Sequence, residues 1–166
     1  MNSAYINGFT KRLKKARKNY GFSQKEVNEA LNVPTTRLSK YETGWSEPNI
    51  DTIYLLASYY GVSSDWLLGI DQTDNGKPSN KTVSKWNGLK TKTSQFPVKL
   101  RKARIKSRMT QTRVAEILQI RQSSIAKYEN GLAQPSLETL AKLTLFYGVT
   151  CDWLIGLKDD KDDIEA

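Results

Sequence analysis

Apolar side chains recur along this chain at intervals of three and four residues, the signature of one buried helix face. Leu100 and Ala103 mark one short stripe, Val114, Ile117 and Leu118 a second, Ile125 and Tyr128 a third, and Leu137, Leu140, Ala141 and Leu143 a fourth. Val149, Trp153 and Leu154 close the series. Upstream the same pattern runs through Leu13, Val27, Ala30, Leu31, Leu38, Tyr41, Ile50, Ile53 and Leu56. No strand-like alternation interrupts either series. The spacing predicts five short helices in each of two stretches, an all-α fold.

The two stretches are copies. A shift of 87 positions aligns residues 9–70 with 96–157 without a gap, and over a third of the aligned positions are identical. Phe9 falls on Phe96, Leu13 on Leu100, Arg17 on Arg104, Gln24 on Gln111, Lys40-Tyr41-Glu42 on Lys127-Tyr128-Glu129, and Asp65-Trp66-Leu67 on Asp152-Trp153-Leu154. Ungapped identity at this level marks a duplicated domain. The expected organisation is a first domain over 1–70, a polar linker over 71–95 with turn signals at Asn75-Gly76 and Lys77-Pro78, a second domain over 96–157 and an acidic tail over 158–166. Within the linker, Val83, Trp86 and Leu89 have the spacing of one helical turn.

Local signals divide each copy further. Ser23 followed by Glu26 predicts a capping box at the start of the second helix; Thr110 opens its counterpart, but Arg113 stands where the acid would be. Gly44 and Gly131 are placed to end a helix in the left-handed conformation, and Pro48 and Pro135 to start the next one. Between these marks, "SQKEVNEAL" and "PTTRLSKYE" read as two short helices joined by a tight turn, matched by "TQTRVAEIL" and "RQSSIAKYE". A nine-residue helix is roughly 13 Å long, comparable with the roughly 12 Å major groove of B-DNA. Two such helices with a short turn form a helix-turn-helix, whose second helix can offer its N-terminal side chains to base edges.

Composition narrows the chemistry. Of 166 residues none is histidine and Cys151 is the single cysteine. His-based acid–base catalysis, catalytic triads and conventional zinc sites are thereby excluded, and no nucleophile–base pair or Gly-rich phosphate loop is legible, so no enzyme, metal or cofactor is expected. A lone cysteine suits a reducing cytoplasm. The N-terminal "MNSAYINGFTKRLKK" lacks the apolar run of a secretory signal, and no run of about 18 apolar residues suggests a membrane span. The net charge is +9, contributed as +3 by 9–70, +3 by 71–95 and +6 by 96–157, against −3 in the tail. A basic body with an acidic end suits a polyanionic partner.

Both copies resemble the Cro/repressor-type helix-turn-helix domains of phage repressors and bacterial regulators. The resemblance rests on the Ser/Thr-Gln openings, the "KYETG" and "KYENG" endings with a proline downstream, and the "YYGVSSDWLLG" and "FYGVTCDWLIG" segments. It implies compact five-helix, lambda-repressor-like domains that bind double-stranded operator DNA, often as symmetric dimers. Residue by residue it implies base contacts from Thr35, Thr36, Arg37, Ser39 and Lys40 in the first copy and from Gln122, Ser123, Ser124 and Lys127 in the second. Gln24 and Gln111 would hold the sugar-phosphate backbone and Asn130 another phosphate, with Thr43 its weaker counterpart. Gln pairs bidentately with adenine, and Lys and Arg read guanine. Glu42 and Glu129 are expected to be structural partners of Arg17 and Arg104, not catalytic acids. The copies depart from the family where Asn28 stands in place of a small residue in the second helix (Ala115 in the other copy), and where Asn32 and Gln119 occupy the turn in place of glycine.

Two domains in one chain would supply what relatives obtain from two chains. Because "PTTRLSK" and "RQSSIAK" differ, the expected target is a pair of unlike half-sites, and the expected role is transcriptional repression. A competing architecture is a homodimer with four reading heads. A competing function is an antitoxin-like or inhibitor protein, in which one copy holds a protein partner and the other binds DNA for autoregulation.

Overall fold

The computed structural model describes residues 4–34, 36–71 and 95–158. The expected linker helix around Val83, Trp86 and Leu89 lies outside the described residues, as does most of the acidic tail. The chain folds into two compact helical units, and among the described residues there is no strand. In the first copy the helices are α1 (Ala4–Asn19), α2 (Gln24–Ala30), α3 (Arg37–Thr43), α4 (Ile50–Tyr60) and α5 (Ser64–Leu68). In the second they are α6 (Phe96–Lys106), α7 (Gln111–Leu118), α8 (Gln122–Glu129), α9 (Leu137–Tyr147) and α10 (Cys151–Ile155). The predicted count of five per copy is the observed one. No helix among the described residues is long and apolar enough to cross a membrane.

Each unit closes around equivalent side chains. Phe9, Leu13, Ala16, Val27, Leu38, Leu56 and Leu67 are buried in the first; Phe96, Leu100, Ala103, Val114, Ile125, Leu143 and Leu154 take the same places in the second. A fully buried aliphatic or aromatic side chain contributes about 1.5–3 kcal/mol relative to exposure, so these sets are the main reason seven- and eight-residue helices, too short to persist alone, are held in place. The tryptophans of the terminal segments, Trp66 and Trp153, are buried with them. Ile117 and its first-copy equivalent Ala30 are exceptions: their spacing assigned them to the buried stripes of α7 and α2, yet both are exposed, Ile117 at 42%.

Caps fix the helix ends. Ser23 accepts from the Glu26 N–H at 3.2 Å, and the Glu26 carboxylate accepts from the Ser23 N–H at 2.7 Å, completing the predicted box. Thr110 accepts from the Arg113 N–H at 3.1 Å, the half-box its sequence allows. Pro48 and Pro135 act differently from the expectation. Helices α4 and α9 begin at Ile50 and Leu137, and Ser136 caps α9 by accepting from the Thr139 N–H. A hydroxyl cap satisfies an orphan N–H that a proline ring cannot, so the proline precedes the cap.

Candidate nucleic-acid interface

In the second copy α7 and α8 are separated by three residues, Gln119, Ile120 and Arg121. Gln119 ends α7 in the left-handed region, at φ 55°, the position for which glycine is usual. Asn32 adopts the same conformation in the first copy, at φ 51°. There, however, α3 begins at Arg37, later than its sequence suggests. The hydrogen bonds explain the delay. In the second copy the Ile125 N–H donates to the Arg121 carbonyl, which closes the first α-helical turn. In the first copy the equivalent Leu38 N–H donates to the side-chain oxygen of Asn28 at 3.3 Å. Asn28 is buried where the second copy has Ala115. It therefore fits the close helix–helix contact by capping α3 from across the turn, while Thr36 makes no side-chain cap.

Behind each second helix pair lies the same polar core. Arg17 meets Glu42 through Nε–Oε1 at 2.6 Å and Nη2–Oε2 at 2.9 Å, and donates from Nη1 to the Phe22 carbonyl. Arg104 meets Glu129 with the same two distances and donates to the Met109 carbonyl. The expected pairings are those observed. Burial alone would push the Glu129 carboxyl up, but hydrogen bonds from Arg104 and Gln111, the Arg104 charge and a hydrogen bond from Arg101 hold it below the usual carboxylate range.

The two glutamines complete that core. Gln24 Nε2 donates to Glu42 Oε2 and Gln111 Nε2 to Glu129 Oε2, both at 2.9 Å. An ionised carboxylate only accepts, so each amide must turn its NH₂ inward. For Gln111 this leaves the oxygen facing out, where it accepts from Gln122 Nε2 at 2.9 Å. The relay Arg104–Glu129–Gln111–Gln122 thus carries order from a buried ion pair to the first residue of α8. Gln122 keeps its carbonyl oxygen and a second N–H for another partner, the two groups an adenine edge matches.

The remaining predicted side chains fall as follows. Ser123 and Lys127 are exposed on α8 and Ser124 is half-buried. Thr36, Arg37 and Lys40 are exposed and Ser39 half-buried; Thr35 lies outside the described residues. Arg37 Nη1 donates to the Tyr41 hydroxyl at 3.4 Å, and Lys40 Nζ stands 5.2 Å from the centre of the Trp45 ring. Asn130 is exposed and accepts from Arg101 Nη2 at 3.0 Å, leaving its NH₂ outward. Thr43 instead turns its hydroxyl back to the Ser39 and Lys40 carbonyls. The sequence reading did not pair Arg101 with Glu129, from which it lies 3.5 Å; its position one turn before Arg104 was the available signal. It also missed Trp45.

The helix-turn-helix family HTH_3 matches this chain twice, over residues 13–67 and 100–154. The chain belongs to that family. Among curated proteins it is similar to the HTH-type transcriptional regulator ImmR of Bacillus subtilis (strain 168), 42% identical over 77 residues, covering 45% of this chain and 61% of that protein. It is 40% identical over 60 residues to the SPbeta prophage-derived uncharacterized HTH-type transcriptional regulator YonR of the same organism, covering 36% of this chain and 56% of that protein. A third relative is the HTH-type transcriptional activator BcrR of Enterococcus faecalis, 34% identical over 61 residues, covering 37% of this chain and 30% of that protein. The chain therefore spans about three-fifths or less of the length of these relatives. No solved structure matches it at a comparable significance.

Proposed function

We propose that this protein is a sequence-specific double-stranded DNA-binding transcriptional regulator, acting as a repressor, that reads two unlike half-sites with its two helix-turn-helix copies. The observation that carries the reading is the Gln111–Gln122 relay, polar and pre-oriented at the start of α8 and backed by a buried ion pair, with Lys127 exposed in the last turn of the same helix. Family membership and relatives named as transcriptional regulators support the class. A net charge of +9 supports a polyanionic partner. Where a bound site overlaps a promoter, occupancy by itself excludes other proteins from the duplex and represses.

The two copies approach DNA with different chemistry. In the second, Gln122 offers a bidentate edge; in the first, Arg37 and Lys40 offer positive charge. Half-sites on one face of the duplex lie about 34 Å apart, and the 25 residues of 71–95 could extend to roughly 80 Å at most, so chain length permits both heads to engage. In the first copy Asn28 departs from the small residue usual in the family. Its capping bond to Leu38 supports a working helix pair in that copy.

Selection of bound sequences from random duplex DNA, at two salt concentrations, tests the proposal. The expected result is a site with two dissimilar halves. Gln122→Ala should relax base preference in one half only, with a cost of about 1–3 kcal/mol at that position. A strictly palindromic site, equally dependent on both copies, would refute the two-half-site reading. Steep salt dependence without any sequence preference would refute sequence-specific recognition.

A further inference from the structure

Trp45 is the most exposed large apolar side chain among the described residues, at 79%, and its equivalent in the second copy, Leu132, follows at 76%. The local backbone explains why both point where they do. Gly44 closes α3 at φ 73°, its N–H bonds the Tyr41 carbonyl, and the Trp45 N–H returns to the Lys40 carbonyl at 2.9 Å. Gly131, Tyr128, Leu132 and Lys127 repeat this, with Leu132 N–H to Lys127 carbonyl at 2.8 Å. This helix-ending motif brings the residue after the glycine back over the one four positions before the glycine. In the first copy this sets the indole beside Lys40, one of the proposed reading residues; in the second it returns the Leu132 backbone to Lys127. In such motifs the apolar residue usually packs against its own helix; here the indole stays open to solvent on most of its surface, with the Lys40 ammonium 5.2 Å from the ring centre.

We propose that Trp45 and Lys40 form a composite contact with the sugar-phosphate backbone of duplex DNA, the indole lying on a deoxyribose and the ammonium on the adjoining phosphate, and that Leu132 with Lys127 makes a smaller version of it. The inference rests on the DNA reading above and assigns it a further binding residue. The chemistry fits. A deoxyribose offers an apolar C–H face without sequence information, an indole covers it at little entropic cost because it has few rotatable bonds, and a phosphate accepts from a lysine already held over the ring. A contact of this kind strengthens binding to all sequences alike. The first copy would then lean on backbone contact where the second has the Gln111–Gln122 relay.

The test uses the full chain carrying Trp86→Phe, so that emission changes report Trp45, since Trp66 and Trp153 are buried. Its probes are a selected duplex and an unrelated duplex of equal length. Addition of either duplex should quench the emission, and Trp45→Phe should remove that quench. Trp45→Ala should weaken both duplexes by a similar factor, roughly five- to twentyfold, with an unchanged salt slope and native circular dichroism. Leu132→Ala should weaken them less, and Lys40→Ala should reduce the slope by about one. If Trp45→Ala binds both duplexes like the parent while Gln122→Ala relaxes base preference, the contact does not exist although the DNA reading stands. If Trp45→Ala spares DNA binding but dissolves a self-association of the parent, the indole belongs to a protein interface and the inference is overturned. If the parent binds neither duplex, the DNA reading fails and this inference fails with it.

Discussion

Glu129 is a buried carboxylate that keeps its charge because three donors point at it. Arg104 spans both of its oxygens and Gln111 shares one of them, which offsets the desolvation that burial imposes. Arg104→Ala would leave that charge uncompensated and should destabilise the second copy by about 3 kcal/mol, the low end for a buried pair because Arg104 retains a solvent edge. Urea unfolding of the second copy would measure it. The pH dependence follows from the same geometry. The folded pKa of Glu129 lies below its unfolded value of about 4.3, so the stabilisation is complete above that value and is lost as pH falls through the depressed folded pKa. Glu129→Gln should be less stable than the parent at neutral pH and should show a flatter loss of stability on acidification. An unchanged acid limb would mean that the pair is not the group being titrated.

Helix α3 shows one side chain resetting the start of an element. Asn28 draws the Leu38 N–H to itself, and the first α-helical turn that the second copy forms through Arg121 and Ile125 is displaced. Asn28→Ala would recreate the Ala115 situation. The Leu38 N–H should turn to the Pro34 carbonyl, and the Leu38 amide resonance should move by NMR. Because one hydrogen bond replaces another, the cost should stay near 1 kcal/mol. A loss of several kcal/mol, or an unmoved Leu38 amide resonance, would show that Asn28 holds the turn by some other means.

On the proposed two-head reading, duplication lets one chain hold two weak readers. When one copy is bound, the other searches at an effective concentration set by the connecting segment, and linkage of this kind can raise affinity by about 10²–10⁴ over a single head. Disabling the second head with Gln122→Ala and Lys127→Ala together should therefore cost the full chain a factor approaching that range on its selected duplex. The slope of log K against log salt should become shallower because fewer phosphates are neutralised. Fluorescence anisotropy over a salt series would read both. An affinity that falls only by the Gln122 contribution, with the slope unchanged, would mean that the two copies do not engage one duplex together.

Much of this was legible along the chain because short-range periodicity encodes it. The i, i+3, i+4 stripes located ten helices, the 87-residue shift paired them, and Ser23, Glu26, Thr110 and Gly44 announced ends that depend on neighbouring residues alone. The Arg17–Glu42 and Arg104–Glu129 pairs were legible because the duplication repeats both partners. Contacts between residues far apart or on different helices, with no period to betray them, needed the folded chain. Asn28 read as a misfit until the fold set its amide against Leu38; Ile117 read as core until packing left it at the surface; the Gln111–Gln122 relay and the indole over Lys40 exist only as distances. Local hydrogen bonds and helix faces are written in sequence spacing, whereas the direction in which a polar side chain spends its last donor is decided by which neighbours tertiary packing brings within 3 Å of it.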